Sequence, residues 1–372
     1  MYLKSIRLHN YRNYEDLELN LNPGVNIFLG ANGQGKTNLM EAVYYLAVGN
    51  NFRGNRDLEL INWQKNYFRI HGQFKKEKSN RLFDLEVYLD KNKKKQIKIN
   101  GVKAKSIGDL HGNLQVVLFS PDDLKIIKGS PSERRKYLDT EICQMDKGYY
   151  KLIRQYERVL QQRSNLLKDI RYRHFGKEQL EVWNNYLVEY GSKIIFKRIE
   201  LLKSLVPLAR NIQHDLTENK EKFTVTYQSS LGAIGDFSVE EISEVFSHIL
   251  REKEKEEIER GLNLWGPHRD DLIFYLNGKE LKKYGSQGQQ RTGILALKMA
   301  EIQIFHHKYG EYPLLLLDDV MSELDDKRRA YLIDLVNEKK IQSIITGANI
   351  ELVTQKILKD EVFQIKEGKI IK

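Results

Sequence analysis

The residues with the most definite chemistry are Gly30-Ala31-Asn32-Gly33-Gln34-Gly35-Lys36-Thr37, a run with glycine at its first and sixth positions and Lys-Thr at its end. This spacing makes a loop whose backbone N–H groups wrap phosphates; the lysine reaches the β and γ phosphates and the threonine hydroxyl ligates Mg2+. The run follows the apolar segment VNIFL and precedes TNLMEAVYYLAVG, where Leu39, Ala42, Val43 and Leu46 recur at helical spacing. The phosphates would therefore also meet a helix N-terminus. ATP and Mg2+ are the expected cofactors, held by Gly30 to Thr37 and the adjoining Asn38. A second apolar run, LLLLDD, ends in two carboxylates. Asp318 suits the metal and Asp319 the attacking water. Alone, LLLLDD reads more readily as a core strand with aspartates at its solvent end; paired with the loop, it reads as a metal site.

Elements must hold these groups. The first third alternates like strands in MYLKSIRLHNY, FRIHGQF, LFDLEVYL and KQIKI, the last closed by a turn at Asn100-Gly101, with the apolar run GVNIFLG among them. From Ser132 to about Glu259 the pattern becomes long, charged and amphipathic, with Pro207 the only proline. Three helical stretches are expected there, ending near Ile170, Val206 and Gly261, with one strand at KFTVTYQ. The last third returns to α/β: DLIFYLNG, a helix through TGILALKMAEIQIF, the LLLLDD strand, a helix over 327–338 and the strand QSIIT.

Lys36 and Asp318 lie 282 positions apart, too far for a compact kinase or GTPase. This layout is similar to that of ATP-binding-cassette ATPases of the SMC and Rad50 kind. The expected fold is α/β, a P-loop ABC-type ATPase head assembled from residues 1–120 and 260–372, with a mainly helical lobe inserted over 121–259. Gly285-Ser286-Gln287-Gly288-Gln289 resembles the cassette signature loop L-S-G-G-Q, and Ser322-Glu323-Leu324-Asp325 the D-loop. The resemblance implies that Ser286, Gly288 and Gln289 contact the nucleotide of a second head, so that ATP joins a homodimer. Lys36, Asp319 and Ser286 form the expected catalytic set. Two departures stand out. Asp319 is one methylene shorter than the usual glutamate, and Thr346-Gly347 stands near the place of a switch histidine, so slow hydrolysis is expected. Gln115 and Ser120 are alternatives for the Q-loop residue. By resemblance to Rad50-like heads Arg12 would lie near the phosphates, as could Arg53 or Arg56; each serves equally as an ion-pair partner.

NYRNYEDLEL, NFRGNRDLELI, LFSPDDLKIIKGSPSERRKYLD, GPHRDDL and GSQGQQRT together resemble the RecF family of bacterial recombination mediators, over essentially the whole chain. This implies a cytoplasmic repair protein with weak, DNA-stimulated ATPase activity. Its partners would be DNA at single-strand/double-strand junctions or gaps, and RecO and RecR, with which it promotes RecA loading. His268 and Arg269, in GPHRDDL, are family-like, but no role follows for them from the residues; a turn feeding DLIFYL accounts for both.

The composition agrees with a polyanionic partner: Lys plus Arg exceed Asp plus Glu by 61 to 51, a formal +10. Lys91 to Lys105 holds seven lysines and no acid. Such a hairpin is more often a solvated edge guarding against aggregation than a DNA contact. Arg154, Arg158, Arg163, Arg171 and Arg173 are weaker candidates. Cys143 is the only cysteine, so an internal disulfide is excluded and a reducing compartment fits. No apolar run reaches membrane-spanning length. The alternative is a cassette ATPase subunit acting on protein partners or in transport.

Overall fold

The computed structural model describes residues 1–54, 56–76, 81–174, 176–348 and 361–371. It divides into two compact units: 1–124 with 208–222 and 286–372, and 125–207 with 223–285.

The first unit contains two six-stranded sheets. One has the order Lys369–Ile371, Glu361–Lys366, Val25–Leu29, Ser343–Gly347, Leu314–Asp318, Val116–Phe119. Its strands are parallel except at the 369–371 edge. Every side chain of Val25–Leu29 and Leu314–Asp318 is buried, as expected of a parallel strand covered on both faces, and this explains why both runs are apolar but for Asn26 and the terminal Asp318. The other sheet is antiparallel: Tyr14–Asn20, Tyr2–Tyr11, Tyr67–Lys75, Leu82–Asp90, Lys95–Ile99, Val102–Lys103. Ile99 pairs with Val102 across Asn100-Gly101, whose φ angles of 51° and 78° are those the two-residue Asn-Gly hairpin requires.

The helix Lys36–Val48 shares one core with both sheets: Leu39, Val43 and Leu46 lie in a cluster with Leu8, Phe68 and Val87 on one side and Leu316 and Ile344 on the other. A helix enclosed in this way is apolar nearly all round, so Met40, Tyr45 and Ala47, outside the expected stripe, are buried as well. Gln342 joins the chain ends: its side chain accepts from Leu3 N at 2.7 Å and donates to Leu3 O and Asn22 O, each at 2.8 Å.

The second unit is mainly helical, with Pro131–Met145, Lys147–Arg173, Val239–Glu252 and Glu254–Arg260, and a small sheet of Phe223–Gln228, Asp271–Leu276 and Lys279–Glu280. The stretch expected as one helix to Ile170 is two, divided where Asp146 leaves helical geometry to cap Gly148 N. The helix Leu180–Leu216 belongs to the second unit as far as Pro207 and to the first beyond it, running past Val206, near which the stretch was expected to end. Proline removes one helical hydrogen bond. Burial of the apolar Ala209, Ile212 and Leu216 offsets that loss. Polar knots fill this unit. Arg163, fully buried, donates to Glu257, Asn184 and Asn263, which removes it from the candidate DNA contacts. His268 bonds Tyr156 through Nδ1 at 2.7 Å, and Arg269 donates twice to Asn263 O. No helix among the described residues is long and apolar enough to cross a membrane.

Candidate nucleotide site

The loop Gly30–Gly35 leaves the C-terminal end of the central strand and feeds the helix at Lys36. Gly35 has φ 117°, and a Cβ there would lie 2.6 Å from Asn13 Nδ2. At Gly30 the obstacle is backbone, since a Cβ would lie 2.5 Å from Ile365 O. Outside groups brace the loop: Tyr14 OH donates to Gly35 O at 3.0 Å, Asn13 Nδ2 to Gln34 O at 3.0 Å, and Gly368 N to Gln34 O at 3.1 Å. Glu367 N donates to Gln34 Oε1 at 2.6 Å, and Asn38 Nδ2 to Asn13 Oδ1 at 2.8 Å. Among the described residues, none of the N–H groups of Ala31 to Gly35 donates a hydrogen bond, leaving a nest of free donors at a helix N-terminus. The Lys36 ammonium donates to Gly30 O at 2.7 Å and Ala31 O at 3.2 Å, so it is already folded over the loop.

The parallel register brings Asp318 level with Thr346. Thr37 Oγ1 donates to Asp318 Oδ1 at 3.0 Å, and Thr346 Oγ1 to the same oxygen at 2.9 Å. Burial raises the Asp318 pKa above its ordinary value, while the two hydroxyls and the charge of Arg53 act against that rise. A hydroxyl and a buried carboxylate sharing one point, with no described donor on Oδ2, is a donor set of hard oxygens that fits Mg2+. Asp319 has φ 54°; its N–H donates to Thr346 Oγ1 at 3.0 Å and its carbonyl accepts from Ser322 Oγ at 2.8 Å. No described residue donates to the Asp319 carboxylate, which is free to orient a water.

Ser286 caps the helix Gln287–Tyr309: its Oγ accepts from Gln289 N at 3.2 Å, and its N–H donates to Gln289 Oε1 at 2.9 Å. Ser286, Gln287 and Gly288 are exposed. A Cβ at Gly288 would meet only Ser286 Oγ, at 3.9 Å, so nothing in this chain crowds that glycine. Among the described residues no hydrogen bond or ion pair joins Ser286–Gln289 to Gly30–Asn38. The 322–325 turn is held by Arg291, which donates to Glu323 O at 3.0 Å, and Arg329, which donates to Leu324 O at 2.8 Å.

Arg12 is spent locally. Its guanidinium donates to both oxygens of the fully buried Glu41, at 2.9 and 3.1 Å, and to Glu59 O at 3.2 Å. Arg53 is close enough to Asp318 to favour its charged form, whereas no described contact ties Arg56 to the site. Of the Q-loop alternatives, Gln115 precedes the strand Val116–Phe119 and hydrogen-bonds Gly112 O, at the end of the sheet away from Asp318. Ser120 follows Phe119, which pairs with Leu317, and so lies at the Asp318 end. Lys95 departs from its hairpin neighbours: half-buried, it donates to Gly49 O and Asp57 and lies over the Tyr45 ring at 4.5 Å. The residues missed in the sequence are Asn13 and Tyr14, the Glu367-Gly368 turn and the bridging role of Thr346. A Glu-Gly pair between the alternating runs EVFQIK and KII was a legible hairpin signal; the others are long-range contacts.

The profile of the RecF/RecN/SMC N-terminal domain family matches residues 2–370. The chain is 43% identical over 374 residues to the DNA replication and repair protein RecF of Alkaliphilus oremlandii (strain OhILAs), covering all of both chains. Among solved structures, that of the recombination mediator protein RecF-ATP in the RecFOR pathway aligns with a TM-score of 0.92 at 36% identity, covering 100% of this chain and 97% of that one. The Smc head domain of Pyrococcus furiosus, with an extended coiled coil and bound to the C-terminal domain of ScpA, aligns with a TM-score of 0.56 at 17% identity, covering 100% of this chain and 96% of that one, a likeness of fold alone.

Proposed function

The chain belongs to the RecF family, with the ABC-type ATPase head fold of the RecF and SMC proteins, and from that premise we propose that it is an ATP-dependent DNA repair and replication protein. In this reading ATP closes a homodimer that binds gapped or junction DNA in the cytoplasm. Acting with RecO and RecR, it promotes RecA loading. The observation that carries the reading is the Thr37–Asp318 contact, which joins the phosphate loop to a carboxylate 281 positions away at the spacing of a Mg2+ site.

When bound, Mg2+ and ATP would supply the phosphoanhydride and neutralise its developing charge. The free N–H groups of 31–35 and Lys36 would hold the phosphates, Thr37 and Asp318 the metal, and Asp319 would orient the water that attacks the γ-phosphorus as ADP leaves. Asp319 has a short side chain, and the Thr346 hydroxyl is committed to Asp318 rather than to the water. Hydrolysis is slow on this account, timing release rather than driving turnover. The open Gly288 and the exposed Ser286 cap support a trans contact, because a glycine its own chain does not require leaves room for another body to approach. The basic balance supports DNA through phosphate neutralisation by several groups.

The test is binding of a labelled gapped duplex, with and without ATP, across a salt series, with the dimer fraction followed in the same samples. Salt-sensitive binding that needs ATP and tracks the dimer is expected in the parent and absent in Lys36→Ala. Dimerisation without DNA binding would transfer the function to protein partners or transport. Intact ATP-dependent dimerisation in Ser286→Arg would end the trans-contact reading.

A further inference from the structure

The segment after the long helix meets the Ser286 turn at one side chain. The helix Leu180–Leu216 is followed by two consecutive residues of positive φ, Glu218 at 53° and Asn219 at 66°, and the reversal brings Glu221 back against Gln213. Glu221 Oε2 accepts from Gln213 Nε2 at 2.8 Å, and its Oε1 accepts from Gln289 Nε2 at 2.8 Å. Gln213 is fully buried on the helix, so the carboxylate is held from behind. The Gln289 amide is then fixed from both ends: its nitrogen donates to Glu221 and its oxygen accepts from Ser286 N. Glu218 also pairs with Lys327 at 2.7 Å, on the helix Asp326–Lys339 that follows the 322–325 turn.

We infer that Glu221 is a positioning residue for the signature turn, setting the rotamer of Gln289 and through it the capping box that presents Ser286 outward. A glutamine at the third helical position closes such a box only when its amide oxygen faces back to the cap. Left to itself, the amide has two faces of similar shape, one of which turns the NH2 group toward Ser286 N–H and opens the box. The carboxylate selects between them, because it can only accept. A charged acceptor shared by two amides is stronger than a neutral one. The inference rests on the dimer reading, since the turn matters to function only if a second head meets it.

Glu221→Ala and Glu221→Gln are compared with Gln289→Ala and the Glu221→Ala/Gln289→Ala double variant. Hydrogen exchange at the amides of residues 286–290, measured without nucleotide, should be faster in Glu221→Ala by about tenfold, and by less in Glu221→Gln, which keeps an acceptor oxygen. ATP affinity of the monomer should stay at the parental value while the ATP-dependent dimerisation midpoint rises by about tenfold. In the double variant the two effects should not add, because both remove the same bond. Unchanged exchange at 286–290 would overturn the inference, as would fully additive effects or an equal loss of monomer ATP affinity. If the parent itself does not dimerise with ATP, the proposed function fails, while the exchange measurement still decides whether Glu221 sets the turn.

Discussion

Replacing Thr346 by valine keeps the β-branched shape that fits strand Ser343–Gly347 and removes one hydroxyl. That hydroxyl donates to Asp318 Oδ1 at 2.9 Å and accepts the Asp319 N–H at 3.0 Å. Asp318 is 4% exposed, so solvent does not replace the lost donor. A hydrogen bond to a charged group contributes about 1.5–3 kcal/mol, which is tenfold to about a hundredfold in an equilibrium. The loss falls on the charged form alone, so the Asp318 pKa, already raised by burial, rises further. In the proposed site protons and Mg2+ would compete for that carboxylate. As pH falls, Mg2+-dependent nucleotide binding is therefore lost at higher pH in Thr346→Val than in the parent. Titration of a fluorescent ATP analogue between about pH 5 and 8, with Mg2+ or with EDTA, reads this directly. Identical pH dependence in the two proteins would refute the bridging role. An equal loss in EDTA would show that the substitution acts on the phosphate loop and not on the metal carboxylate.

Two further outcomes follow from groups away from the phosphates. Arg12→Ala leaves the fully buried Glu41 without its bidentate partner and should destabilise the fold by about 3 kcal/mol in urea unfolding, with Glu41→Gln costing less because a neutral amide needs no counter-charge. Parental stability in Arg12→Ala would return Arg12 to the phosphate-contact candidates. His268, held mainly by burial at a pKa of about 4 against an ordinary 6.5, binds its proton more readily in the unfolded chain. Its contribution is present above pH 6.5 and is lost as pH falls toward 4, on the order of 3 kcal/mol in all. Asp123, pushed up to about 6 by burial, works in the opposite direction at acid pH. His268→Gln should therefore flatten the acid limb of stability against pH, and an unchanged slope would remove His268 as its source.

Local signals carried much of the fold. The Asn100-Gly101 hairpin, the apolar run before Gly30 and the LLLLDD strand each state their conformation within a few residues. The strand Tyr14–Asn20 was not visible because its alternation is interrupted only by the tight turn at Arg12-Asn13, so it reads as a polar continuation of the first strand. The strand Glu361–Lys366 is short, and its neighbour in the sheet is Val25–Leu29, a pairing no local window contains. At the candidate site, the strand–loop–helix placement of Gly30–Thr37 and its meeting with Asp318 were legible because phosphate wrapping and metal ligation would demand fixed residue types. Arg12 was not, since whether an arginine faces a phosphate or a carboxylate depends on Glu41, 29 positions away. Arg163 shows the same limit: a charged residue on an amphipathic helix looks solvent-facing until Glu257 arrives to neutralise it and Asn263 to accept its hydrogen bond.

The place of Val25–Leu29 in its sheet has a consequence for synthesis of the chain. Both of its neighbours, Ser343–Gly347 and Glu361–Lys366, are made more than 300 residues later. At about 5–20 residues per second the ribosome takes roughly 15 to 60 seconds to deliver them. Throughout that interval a strand apolar but for Asn26 has two open edges and the loop at Gly30–Gly35 lacks the 367–368 turn that braces it. The loop at Gly30–Gly35 therefore cannot take up the braced form described above until residues 343–368 have been made and folded against it.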